Sequence, residues 1–348
     1  MPVCGLSRCL RTLVGLTQQP GTHDRPGPGD VVRPRPPEVE RHRVAERPIQ
    51  VRRLAAGLEG GHRQTPPDIP IADGSRYGLT MAVRSLGYRS DLMLLGLQGS
   101  VVDRRDGYLA VRTPANPTYH WGNFILLDTP PAPGTVASWV STFHREFPDA
   151  GHVALGVDGV TGDAGEPEEL AAASLDVERS TVMTADTVHP PPRPNRDAHF
   201  RVLDGDEDWS AALALQEATN SGPDVEGYRV FAQRNLAAMR RLQERGCGAW
   251  FGAFVNDRMV SGLGLFTDGS GLARYQAVDT HPAYRNQGLS GTLVYTAGRH
   301  ALERLNAHTL VMVADPSYVA IRVYRSVGFT DSETQVQLEP KPSTTTPA

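Results

Sequence analysis

The sequence predicts an α/β chain with an α+β mixed sheet, assembled as two tandem domains, each a mixed sheet flanked by helices. Three observations predict it. The order strand, strand, helix, strand, helix, strand occurs on both sides of a proline-rich segment at 189–195, His-Pro-Pro-Pro-Arg-Pro-Asn. Near the carboxy terminus a strand at 276–280 runs into a glycine turn that opens a helix, Arg285-Asn286-Gln287-Gly288-Leu289-Ser290-Gly291. Residues 309–314, Thr-Leu-Val-Met-Val-Ala, are a short apolar run of the kind a buried parallel strand shows.

Taken in order, residues 1–70 are rich in Arg, Pro and Gly and bury too little apolar surface to offset their ordering entropy, so they are expected to be a disordered extension. The first domain is expected over 71–188. It has a helix at 75–86, strands at 108–112 and 119–127, a helix at 134–147, a strand at 152–157, a helix at 166–175 and a strand at 179–184. A stiff extended linker follows at 189–197. The second domain, 198–338, opens with a strand at 200–203 and helices near 209–218 and 228–244. A hairpin then crosses Asn256-Asp257-Arg258 between strands 250–255 and 259–266. After the 309–314 strand, Ile321, Tyr324 and Val327 repeat at helical spacing until Gly328 ends the helix. Residues 339–348 are expected to be a disordered tail.

The turn at 285–291 has the chemistry of an anion site. A diphosphate needs several N–H donors converging on one place, and a helix N-terminus supplies them with a favourable partial charge. Gly288, Ser290 and Gly291 let the backbone approach closely, with Gly291 expected to adopt a conformation other residues avoid, and Arg285 adds a charged fork. The helix beyond carries a buried stripe of Leu293, Ala297, Ala301 and Leu305.

This turn, followed by Tyr324-Arg325-Ser326-Val327-Gly328-Phe329, resembles the GNAT superfamily of acyl-CoA N-acyltransferases, in which a tyrosine four residues before Gly-Phe closes the domain. The resemblance covers 198–338. With a degenerate GNAT-like first domain, the chain reads as a tandem form of the family. The resemblance implies acetyl-CoA as co-substrate, no metal, and direct transfer of an acetyl group to an amine. It assigns cofactor binding to Val278, Thr280, Arg285, Asn286, Gln287, Gly288, Leu289, Ser290, Gly291 and Ser317, and the role of acid toward the departing thiolate to Tyr324. Ser290 and Ser317 depart from the family's usual Gly/Ala and Asn. For the general base, Glu217, Asp224, Glu226, Asp279 and His281 stand as candidates with none selected. In the first domain, prolines in Thr129-Pro130-Pro131-Ala132-Pro133-Gly134 remove N–H donors, so this copy is expected not to bind CoA in the usual way. The polar, aromatic stretch 116–123 is expected to serve local packing. Gly288→Glu is expected to abolish CoA binding without unfolding the chain.

The acceptor expected is a small-molecule amine. A protein or peptide amine and a non-catalytic acyl-CoA-binding protein remain alternatives. A formal net charge of −4 gives no basic field for nucleic acid. Lys341 is the only lysine among 35 basic residues, which points to codon usage in a GC-rich bacterial genome. Cys4, Cys9 and Cys247 make an odd set that supports neither a disulfide framework nor a zinc site, and a reducing cytoplasm fits. No segment has the length and apolarity of a membrane span.

Overall fold

The computed structural model of the protein describes residues 83–222 and 224–340. The expected extension at 1–70, most of the helix expected at 75–86, and positions 341–348 of the tail lie outside them. The strands are β1 (Val101–Arg105), β2 (Tyr108–Arg112), β3 (Phe124–Leu127), β4 (Leu155–Val157), β5 (Leu175–Ala185), β6 (His199–Val202), β7 (Gly248–Val255), β8 (Arg258–Phe266), β9 (Leu272–Thr280), β10 (Thr309–Ala314) and β11 (Thr330–Pro340). The α-helices are α1 (Leu86–Leu97), α2 (Val136–Glu146), α3 (Pro167–Ala172), α4 (Gly205–Thr219), α5 (Val225–Glu244), α6 (Leu289–Arg304) and α7 (Ala320–Arg325).

All eleven strands form one sheet, in the order β1-β2-β3-β4-β11-β5-β10-β9-β8-β7-β6. The two halves mirror each other about its centre, and there they exchange strands. β5, the last strand of the first half, pairs antiparallel with β10 of the second. β11, the last strand of the second half, pairs antiparallel with β4 of the first. β5 and β11 also pair with each other along nearly their whole length. The expected boundary at 189–197 falls in the connection from β5 to β6, and the sheet continues across it. The cores mix accordingly. Tyr228 and Phe231 of α5 and Val336 and Leu338 of β11 join the apolar cluster of the first half, while Met183 and Ala185 of β5 join that of the second.

Several expected boundaries move, each for a local reason. The first helix starts at Leu86, where the 75–86 helix was expected to end. Ser85 caps it by accepting from the Tyr88 N–H at 3.4 Å. The strand expected at 119–127 is confined to 124–127, because the Asn123 side chain folds the preceding residues into a turn. Its amide donates to the carbonyls of Asn116 (3.1 Å) and Tyr119 (2.8 Å), and its oxygen accepts from the Thr113 N–H at 2.9 Å. At the other end, Glu339 and Pro340 belong to β11 and not to a disordered tail, since β5 is long enough to pair with them at Asp176 and Leu175. The β7–β8 hairpin turns on Asn256 and Asp257 at φ +48° and +61°, the two left-handed residues a tight two-residue hairpin demands.

Candidate active site

The turn between β9 and α6 has the form its sequence foretells, with one redistribution. Gly288, not Gly291, holds the left-handed conformation, at φ +74° and ψ 5°, as the residue that caps α6. Asn286 is left-handed too, at φ +63°. Gly291 lies inside α6 and is small for packing: a Cβ there would stand 3.1 Å from Pro191 and 3.3 Å from Val323. Leu289 buries its side chain in the core, which leaves its backbone N–H for any ligand. No side chain caps α6. Its first N–H groups, from Leu289, Ser290 and Gly291, have no intrahelical partner and converge at the helix mouth.

The first half offers a direct contrast. At the equivalent turn before α2, the Gly134 N–H donates to the Glu169 carboxylate at 2.5 Å. The chain's own anion sits where a diphosphate would. β3 and β4 also stay paired to their ends, closing with Asp158 N–H to the Leu127 carbonyl at 2.8 Å. In the second half β9 and β10 pair in parallel only at 272–274 against 309–311, and beyond that they separate. A bulge follows in β9. The register against β8 slips between Gly262 and Gly264, and Ala277 takes φ +45°. Two residues, Ala277 and Val278, therefore stand where one would, which breaks the ladder and turns backbone toward the gap.

A cavity of about 130 Å³ extends from that gap toward α1, α5 and β11. Val278, Asp279 and Tyr324 line its β9–α7 side, and Tyr88, Asp91, Leu94 and Leu95 of α1 line it from the first half. Tyr119 and Trp121 face it as well, so the 116–123 stretch both packs locally and reaches the cavity. His120 lies instead against His152, with ring centroids 4.0 Å apart.

The geometry separates the five candidate bases. Glu217 pairs with Arg229 at 3.1 Å. Asp224 caps α5 through the Gly227 N–H at 2.9 Å. Glu226 is an exposed residue of the first turn of α5. His281 accepts from the Ala283 N–H at 3.3 Å and contacts Arg258. Asp279 alone of the five lines the cavity. Enclosure pushes its carboxyl up to about 6, against the opposing pull of the Thr219 hydroxyl and the Arg285 charge. Burial first, and then the Asp279 charge, push the Tyr324 phenol above its ordinary range. Arg285 also donates from Nε to the Thr280 carbonyl at 3.4 Å. Ser317 is exposed at the start of the loop into α7, held by its hydroxyl on Asp315 at 2.6 Å.

The 189–197 connection is a strap on this machinery. The His189 N–H donates to the Val327 carbonyl at 3.0 Å, and Pro191 packs against Gly291. Asn195 donates from its side chain to the Gln287 carbonyl at 2.9 Å and from its N–H to the Thr292 hydroxyl at 2.9 Å. A Cβ on Gly288 would collide with the Arg193 carbonyl oxygen. Gly288→Glu would therefore dislodge the strap as well as block the turn, and it does not isolate cofactor binding.

The acetyltransferase (GNAT) family profile matches residues 213–329. Among solved structures, a functionally unknown conserved protein from Staphylococcus epidermidis superposes with a TM-score of 0.56 at 13% identity, over 70% of this chain and 94% of its own. A GCN5-related N-acetyltransferase from Kribbella flavida superposes with a TM-score of 0.52 at 15% identity, over 74% and 97%. A tandem GNAT protein from the clavulanic acid biosynthesis pathway matches more loosely, with a TM-score of 0.46 at 15% identity over 78% and 97%. No curated relative matches the sequence. Residues 213–329, which hold the β9–α6 turn, the separating strands and α7, are a GNAT acetyltransferase domain. The first half repeats its strand-and-helix order without its open turn.

Proposed function

We propose that the chain moves an acetyl group from acetyl-CoA to the amine of a small molecule by direct attack in a ternary complex. One observation carries the proposal: Asp279, Tyr324 and the β9 bulge all face a single cavity that both halves of the chain enclose. The uncapped start of α6 suits a diphosphate, and the gap between β9 and β10 suits the arm that joins it to a thioester. The co-substrate supplies a thioester carbonyl. The amine nitrogen bonds to that carbon as the carbon–sulfur bond breaks. Asp279 takes the proton the ammonium must lose, and its raised pKa makes it a better acceptor than an ordinary aspartate. Tyr324 gives its proton to the departing thiolate, and the upward shift keeps that proton in place at neutral pH. Backbone at Ala277 and Val278 faces the place where charge develops on the carbonyl oxygen.

The test is titration of the full chain with acetyl-CoA by calorimetry, beside Ser290→Glu. Glutamate in the first turn of a helix is compatible with its dipole, so this variant keeps the fold while placing an anion where the diphosphate belongs. Micromolar binding in the parent that weakens at least about thirtyfold in the variant is expected, since like charges are brought together at one site. Equal affinity in the two proteins would sink the cofactor assignment.

A further inference from the structure

The charges of the cavity describe the molecule it receives. Four charged side chains line it: Asp91 from α1, Arg274 and Asp279 from β9, and Asp315 after β10. The single cation among them is engaged at each of its three nitrogens. Arg274 reaches Asp91 at 2.9 Å, the Ser90 hydroxyl at 2.9 Å and the Tyr275 carbonyl at 3.1 Å, and it is 8% exposed. Gln335 of β11 holds the other oxygen of Asp91 at 2.8 Å, fixing the pair from a second side. An incoming carboxylate would meet three carboxyl groups and a guanidinium whose charge is already paired with Asp91. An incoming ammonium would meet an excess of negative charge in a partly enclosed cavity, where attraction between charges is stronger than in open water. Facing that charged end is an aromatic wall, Tyr119 and Phe231 with centroids 5.1 Å apart and Trp121 and Phe124 5.6 Å apart. At about 130 Å³ the space has the volume of roughly one aromatic ring.

We infer that the acceptor is a compact cationic monoamine with an apolar or aromatic body and no carboxylate, and that Asp91 excludes carboxylated amines by occupying Arg274. The inference deepens the acetyl-transfer reading and rests on it for the fate of the amine, though the selectivity itself belongs to the cavity. Asp91 acts through Arg274 and is a positioning residue.

The experiment compares two matched pairs on the full chain: 2-phenylethylamine with phenylalanine, and 3-methylbutylamine with leucine. Members of a pair differ by the carboxylate alone. Binding is read by calorimetry without acetyl-CoA, and kcat/KM by thiol release with it. In each pair the decarboxylated amine is expected to bind at least about tenfold more tightly, because a like charge in the cavity is penalised. Asp91→Asn frees Arg274 and is expected to shrink that preference at least about tenfold, a change in ratio that a purely structural lesion would not produce. Equal or tighter binding of the amino acids, or no binding by either decarboxylated amine, overturns the inference. If Asp91→Asn does not fold, the two wild-type ratios decide alone. Selective amine binding without acetyl-CoA binding would sink the acetyl-transfer reading and leave this one standing.

Discussion

Asp279 holds opposed demands on one carboxyl group. Its folded pKa of about 6 lies above the ordinary value of 3.8, so the native chain binds a proton that the unfolded chain releases. Between those two pH values stability falls as pH rises, and above about 6 the full penalty applies. A shift of that size corresponds to about 3 kcal/mol at most, and the side chain's partial exposure brings the expected figure to about 1–3 kcal/mol. Asp279→Asn is thus expected to raise stability toward urea at pH 8 and to leave it unchanged near pH 3.5, read as the difference in midpoint between the two proteins. The same variant should lose the rise of kcat/KM with pH through about 6 and fall about 10²–10⁴-fold in turnover at pH 8. A variant that is neither stabilised nor slowed would remove Asp279 from the site. Tyr324→Phe keeps the buried ring and removes the proposed acid. Turnover should drop by a similar factor while acetyl-CoA affinity stays within about twofold, measured by single turnover and calorimetry. None of these pairings is visible along the sequence. Ser90 and Arg274 stand 184 positions apart, and nothing in the spacing brings α1 to β9.

At the scale of elements, the strap joins the linker to the β9–α6 turn. Asn195 ties the Gln287 carbonyl and the Thr292 hydroxyl, so the turn is shaped from outside as well as by its own glycine. A hydrogen bond of this kind contributes about 1 kcal/mol, so Asn195→Ala is expected to weaken acetyl-CoA binding about fivefold, with little change in melting temperature. Unchanged affinity would show that Gly288 alone sets the turn. Elements with strong local signals were legible. The Asn256-Asp257 hairpin demands left-handed residues, the β9 run stops before Pro282, and Leu293, Ala297 and Ala301 of the expected α6 stripe are fully buried, while its fourth member, Leu305, is half-buried at the residue that ends the helix. Elements defined by their partners were not. β1 reads Val-Val-Asp-Arg-Arg on an exposed edge, and β11 reads Thr-Asp-Ser-Glu-Thr-Gln, a polar run that is a strand because β5 lies beside it. The site divides in the same way. The turn and Tyr324 are local patterns, whereas Asp91 and Arg274 enter through strand exchange and helix packing.

For the whole molecule, the exchange makes the halves interdependent. Each half's sheet carries a strand from the other, and Tyr228, Phe231, Ala232, Val336 and Leu338 complete a core whose remaining buried members precede residue 176. Equilibrium unfolding in urea is therefore expected as one transition, with tryptophan fluorescence and far-ultraviolet circular dichroism coinciding. Two separated transitions would show that the halves are independent domains. The exchange also sets a schedule for synthesis. β5 is complete while roughly 150 residues still separate it from the end of β11, about 8–30 s at ordinary elongation rates. Throughout that interval β4 and β5 expose unpaired edges that no later part of the first half can cover. The nascent first half must be shielded or stay unfolded until the last strand arrives, so the final ten residues of the fold decide whether the first hundred are stable.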